Sequence, residues 1–313
     1  AGINSVRGSI ATFVAELIAD DKQLFDASRA AIEQFVQDDT VQVRACATEA
    51  LLVSLNHDRQ FARQQFLQLV EDAPDALLSV PDVARFVSYG LCHDDFRDDV
   101  VTTLKHLLQL NEERTQESAG ELLVVGAYHS KELLPLLNTE IERGNVHVLR
   151  GATRALARLF SHLPKELRRI LLLLADNVSD DVVGVASYCF SDLEHDEDVE
   201  DLDGFIEAFS KTRAFAAQPT PLIRFLDKAR SQMTDAALSV CEEFLGYDLE
   251  GARDLSTHRA GDAHSVSELL LRVYVDNPED DAIQQRVLDL VDEMVRHDIW
   301  AVHSTLRKFS DDE

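Results

Sequence analysis

The sequence predicts an all-α fold, a right-handed α-solenoid of short helix pairs closed by a C-terminal helical cap, and three observations carry that prediction. Apolar residues recur with the 3.6-residue period of a half-buried helix, and no run alternates β-branched with polar residues as a strand would. One stretch, residues 39–55 (DTVQVRACATEALLVSL), returns in weaker copies along the chain. The copies are set a few tens of residues apart: Val6 to Val43 is 37 residues and Val148 to Val182 is 34. A period of that size made of two helices marks a solenoid, in which each unit buries its apolar face only against its neighbours.

The elements follow from that register. Asn4-Ser5-Val6-Arg7-Gly8-Ser9-Ile10, running to Leu17, reads as the second helix of a pair whose first is missing. Residues 1–20 are therefore expected to be covered by preceding sequence of a longer protein or by a partner. Leu24, Phe25, Ala27, Ile32 and Phe35 give the next apolar stripe. In residues 39–55, Asp38 or Asp39 can cap the helix, and Val43, Ala47, Ala50, Leu51 and Leu55 share one face. The 105 residues between Val43 and Val148 leave room for two degenerate copies, around Val83 and Ser118. Second helices lie between, carried by Phe61, Phe66, Leu69 and Val70, by Val100, Leu104 and Leu107, and by Leu133, Leu137 and Ile141. The clean copy Val148-Leu149-Arg150-Gly151-Ala152 runs to Phe160, a further stripe follows at Leu167, Ile170, Leu171 and Leu174, and the last copy starts at Asp180.

The register ends at Glu194-His195-Asp196-Glu197-Asp198-Val199-Glu200-Asp201, too charged to bury, which sets a boundary between a repeat region 1–195 and a C-terminal extension 196–313 packed on the solenoid end. Helices are predicted over 202–212, 222–232 and 235–247, with Pro221 starting the second of these. Residues 248–263 read as a polar loop, and 265–275 and 279–295 as amphipathic helices before a short piece ending at Phe309.

The pattern of a turn acid or amide, Val-Arg, small residues and Ala-Leu, cleanest at residues 39–55 and 148–160, resembles HEAT and HEAT-like repeats. That resemblance implies paired antiparallel helices used as scaffolds, transport receptors, nucleic-acid binders or regulatory arms. Val183 stands where the repeat has Arg. A weaker likeness, resting on Phe215-Ala216-Ala217-Gln218-Pro219-Thr220-Pro221-Leu222 and on residues 266–274, is to the C-terminal helical arms of large STAND-type NTPases.

Charge narrows the function classes. The formal charge is −27, from 34 Asp and 23 Glu against 23 Arg and 7 Lys. An Asp-rich, Lys-poor surface is that of a protein kept soluble at multimolar salt, where the Debye length is about 3 Å or less, so the sequence points to a halophile. Such a field disfavours general binding to nucleic acid or to anionic membrane. Cys46, Cys92, Cys189 and Cys241 form no C-x-x-C pair and read as reduced residues, and no run of about 18 apolar residues spans a membrane. The expected location is cytoplasmic.

No phosphate loop, G-x-G-x-x-G, G-x-S-x-G or H-E-x-x-H occurs, so neither an enzyme nor a cofactor is indicated. Cys92-His93-Asp94-Asp95 has metal-ligating residue types but reads as a helix end followed by a capping acid. His258, Asp262 and His264, with His297 and His303, could surround an ion only if their loop folded back, and no metal is expected. The one basic segment holds Arg143, Arg150, Arg154, Arg158, Lys165, Arg168 and Arg169 against a single acid, Glu166. Arg150, Arg154 and Arg158 lie along one helix face. Two uses are open to the segment: a surface for an acidic partner peptide or a phosphate backbone, or a ladder to acids of neighbouring repeats such as Glu117, Glu121 and Asp181. The chain thus reads as a non-enzymatic protein-interaction scaffold or regulatory arm of a larger multidomain protein, with a nucleic-acid-binding module as the alternative.

Overall fold

The computed structural model describes residues 6–191, 193, 202–229, 233–247, 250–253 and 257–311, and the regular structure among them is all helical. The chain divides into two compact units, Ala1–Ala152 and Thr153–Glu313. The division falls inside a helix, whereas the sequence sets it at residue 195. The acidic stretch 194–201 behind that expectation lies outside the described residues.

The first unit contains α1 (Val6–Ile18), α2 (Lys22–Val36), α3 (Val41–Ser54), α4 (Arg59–Val70), α5 (Asp75–Leu78), α6 (Pro81–Leu91), α7 (Asp94–Leu107), α8 (Glu113–His129), α9 (Leu134–Arg143) and the start of α10 (Val146–Arg158). Several begin where a side chain takes up free amides of the first turn. Asp21 accepts from Gln23 and Leu24 at 2.7 and 3.1 Å ahead of α2, and Asp58 accepts from Phe61 at 3.0 Å ahead of α4. Asn145 accepts from His147 at 3.0 Å ahead of α10. The residue before α3 is Thr40, not Asp38 or Asp39. Asp38 instead accepts from the Thr40 amide at 2.8 Å and from the Arg7 guanidinium at 2.7 Å, so it fixes the turn and ties it to α1. Gly144, at φ 71°, closes α9 in the left-handed region that a side chain disfavours.

Besides sequence neighbours such as α6 and α7, packing joins α1 to α3, α3 to α6, α6 to α8, α2 to α4 and α4 to α7. The apolar stripes expected from the sequence supply the core, with Ala47, Ala50 and Leu51 of α3 and Val83, Phe86 and Val87 of α6 fully buried. Phe66 of α4 stacks on Phe86 with ring centres 4.1 Å apart, and Phe96 of α7 meets Phe86 edge-on at 5.6 Å. The α8–α10 contact is made by backbone. A methyl added at Gly120 would run into the Val148 carbonyl oxygen and come within 2.9 Å of the Ala152 nitrogen. One added at Gly151 would run into the Glu117 carbonyl oxygen and come within 2.7 Å of its carbon. On α1, Val6, Ile10, Phe13 and Leu17 are exposed.

The second unit continues with α11 (Lys165–Ala175), α12 (Asp180–Ala186), α13 (Leu202–Ser210), α14 (Arg213–Ala217), α15 (Thr220–Lys228), α16 (Thr234–Gly246), α17 (Glu250–Arg253), α18 (His258–Asp276), α19 (Asp281–Arg296) and α20 (Trp300–Asp311). Its core is a phenylalanine cluster: Phe160 and Phe205 are 4.6 Å apart, and Phe190 lies 5.0 Å from Phe209 and 5.8 Å from Phe225. α18 packs against α15, α16, α19 and α20. Much of the stretch 248–263, expected as a loop, is helical. Thr257 accepts from the Ala260 amide at 3.3 Å and starts α18 well before its apolar residues begin. Gln218 and Pro219 form the expected break between α14 and α15.

Candidate functional site

The basic segment is largely engaged within the protein. Arg150 pairs with Glu117 of α8, and Arg143 donates to the buried Glu140 one turn back at 2.5 Å. Arg168 is only 9% exposed, its Nε donating to the Leu163 carbonyl at 2.9 Å. Arg154 and Arg158 also have intramolecular partners. Arg169 is exposed and meets no carboxylate among the described residues.

Arg150 is one of several arginines that reach an acid about thirty residues along the chain. Arg7 pairs with Asp38, 31 residues away, and Arg29 with Asp58 at 2.8 Å, 29 residues away. Arg63 pairs with Asp99 and donates to the Asp95 carbonyl at 2.7 Å, 32 residues away. In the second unit Arg213 pairs with Asp180 at 3.0 Å, 33 residues away. Arg29 also lies over the Phe25 and Phe61 rings, at 4.5 and 5.0 Å from their centres, so its stem and plane are packed as well as its charge. The Asp58 carboxyl is held below its ordinary range first by the Phe61 amide and then by Arg29. A set of acids instead repels: Glu16, Glu49 and Asp82 follow at steps of 33 residues. Burial, with Asp82 and Glu16 adding to it, pushes the Glu49 carboxyl up.

Neither constellation of metal-ligating types converges. Cys92 ends α6, His93 Nδ1 donates to the Tyr89 carbonyl at 2.8 Å, and Asp94 pairs with Arg97 at 2.6 Å. His264 pairs with Glu268 at 3.3 Å and His297 with Glu293 at 2.9 Å, each on its own helix. Among the described residues no group of three His, Cys, Asp or Glu side chains could hold a metal ion. No helix among them is long and apolar enough to cross a membrane.

His258 and Asp262 instead line a cleft of about 700 Å³ within the second unit, between the 3-10 turn Ser187–Phe190, α15 and the first turns of α18. Phe190 and Phe225, both buried, form its floor, and Tyr188, 55% exposed, stands on the rim. Asp262, 8% exposed, accepts from the Thr220 hydroxyl, which fixes the start of α15 against α18. The Ser187 hydroxyl donates to Gln218 Oε1 at 2.9 Å and holds the opposite wall. Arg224 and Lys228 stand one turn apart on the exposed side of α15, and neither meets a carboxylate among the described residues. In a chain with 57 acids and 30 bases, two adjacent cations without a carboxylate partner among the described residues stand out. Sequence reasoning passed over them because Asp227 sits between them and the basic window of residues 143–169 is denser. Their i, i+4 spacing ahead of an apolar floor was the available signal. No protein-family model matches the chain, and no curated protein or solved structure matches it either.

Proposed function

We propose that this chain is a right-handed α-solenoid of HEAT-like helix pairs with a C-terminal helical cap, and that it serves as a non-enzymatic interaction scaffold or as the regulatory arm of a larger protein. The observation that carries the reading is the recurrence of equivalent contacts at one repeat step. In the first unit α1 packs on α3, α3 on α6 and α6 on α8, and arginines reach acids 29 to 33 residues away. Repetition of that kind builds extended helix ridges with side chains free for a partner, and the absence of clustered nucleophiles, bases or metal ligands in the sequence fits a binding role. The nucleic-acid alternative is not favoured, since Arg143, Arg150 and Arg168 are engaged by groups of the protein itself.

The test places photocrosslinking residues at Gln23, Gln60 and Asp98, exposed positions of α2, α4 and α7, in cells of the source organism. A scaffold gives crosslinks to one protein from adjacent helix pairs, and the purified pair then binds with a defined stoichiometry. Crosslinks from none of the three positions, or only to unrelated proteins that fail to bind when purified, would overturn the reading.

A further inference from the structure

The α15–α18 cleft has the chemistry of a receptor for carboxylates. Arg224 offers a planar fork that can hold a carboxylate through two parallel N–H donors, and Lys228 offers a second charge one helical turn further on. Side chains at i and i+4 of a helix lie about 6 Å apart, and residues at i and i+2 of an extended peptide about 6.6 Å apart, so two acids at alternate positions match the two cations. The apolar floor at Phe225 and the exposed Tyr188 ring take the remaining contact of such a strand. Asp262 already holds Thr220, and its charge opposes a third carboxylate at that end of the cleft. The volume of about 700 Å³ lies in the range of natural ligand clefts. A nucleic-acid strand fits less well, because its affinity grows with the number of phosphates neutralised and here two cations face the field of a chain at −27.

We propose that this cleft binds an extended acidic segment of a protein partner carrying carboxylates at alternate positions. The proposal rests on the interaction-scaffold reading and adds the chemistry of the partner's contacting segment.

The experiment uses the full chain in about 1 M KCl, where the long-range repulsion between two acidic molecules is screened to within about 3 Å. Fluorescence anisotropy is measured with labelled ten-residue peptides bearing Asp-x-Asp, Asn-x-Asn or Asp-x-x-x-Asp, and with a single-stranded oligonucleotide. The expected result is at least tenfold tighter binding of Asp-x-Asp than of Asn-x-Asn. That preference should vanish in the double variant Arg224→Gln, Lys228→Gln, whose melting temperature stays unchanged because both side chains are exposed. Arg224→Lys keeps the charge but not the fork, and should retain only part of the preference. No binding of Asp-x-Asp, equal binding of the amide peptide, an unchanged affinity in the double variant, or tighter binding of the oligonucleotide through the same two residues would each overturn the proposal. Crosslinks from α2, α4 and α7 to a partner would persist in those cases if the scaffold reading alone is right.

Discussion

Replacing Gly151 with alanine sets two effects of known sign against each other. In an open helical position the change stabilises by up to about 1 kcal/mol, because glycine loses more backbone freedom on folding than alanine. At Gly151 the new methyl would run into the Glu117 carbonyl oxygen and lie 2.7 Å from its carbon, against an ordinary contact of 3.4–4 Å. That oxygen belongs to helix backbone and cannot swing aside as a side chain would, so α8 and α10 must separate locally by more than about an ångström. Overpacking of a closed contact costs about 1–3 kcal/mol and occasionally more, and a backbone-to-backbone clash belongs at the upper end. The net effect is a loss of about 2 kcal/mol, or roughly 4–8 °C for a unit of this size. Gly184 of α12 is the internal control, since a methyl there meets nothing within 4 Å and should stabilise by about 0.4–1 kcal/mol. Thermal and denaturant melts followed by circular dichroism at high salt decide the matter. A Gly151→Ala protein as stable as the parent would refute the backbone crossing. Adding Gly120→Ala should cost less than it does alone, because the first methyl has already parted the helices.

Four further outcomes are expected. Acid should destabilise the first unit through Asp58, whose folded carboxyl is depressed: its contribution is complete above the unfolded value and is lost as pH falls through the folded one, so Asp58→Asn should flatten the loss of stability below about pH 4. Glu49 has the opposite sign, because its carboxyl is pushed up. Glu49→Gln should raise stability at pH 7 and leave it unchanged in acid, as paired melts at the two pH values will read. Melting temperature should rise from low to molar KCl as the charge of −27 is screened, and a flat or falling curve would remove the halophile expectation. A double-mutant cycle on Arg150→Gln and Glu117→Gln should give a coupling of about 0.5–1 kcal/mol, the range of a partly exposed ion pair, and a coupling of zero would exclude Arg150 from the inter-helix ties.

The sequence carried the helices well and their meeting points poorly. Stripes such as Val43, Ala47, Ala50 and Leu51 identify a buried face because a helix repeats its environment every turn, and each of these residues is fully buried. Starts were less readable where several polar residues compete: Asp38, Asp39 and Thr40 can each precede a helix, and Asp38 was diverted by Arg7. The segment 248–263 misled because helix start depends on Thr257 and not on apolar content. Gly120 and Gly151 stand in sequence as two weak helix residues, and their reason lies in a contact some thirty residues away. The cleft is of the same kind. Thr220 and Asp262 are 42 residues apart, and Ser187 and Gln218 are 31 apart, so its walls come together only in the folded chain.

The glycine crossing and the arginine bridges hold neighbouring helices by forces of very different reach. Coulombic ties such as Arg7–Asp38 or Arg29–Asp58 change strength with every change of electrolyte, while the touching backbones of α8 and α10 interact over a few tenths of an ångström and are indifferent to ions. Added salt, which screens the attraction within each of these pairs, should therefore not act on the first unit evenly. Amide protons in α1 and α2 should become exchangeable first, and those flanking Gly120 last, so that the unit frays from its charged joints toward a clasp that the solvent cannot weaken.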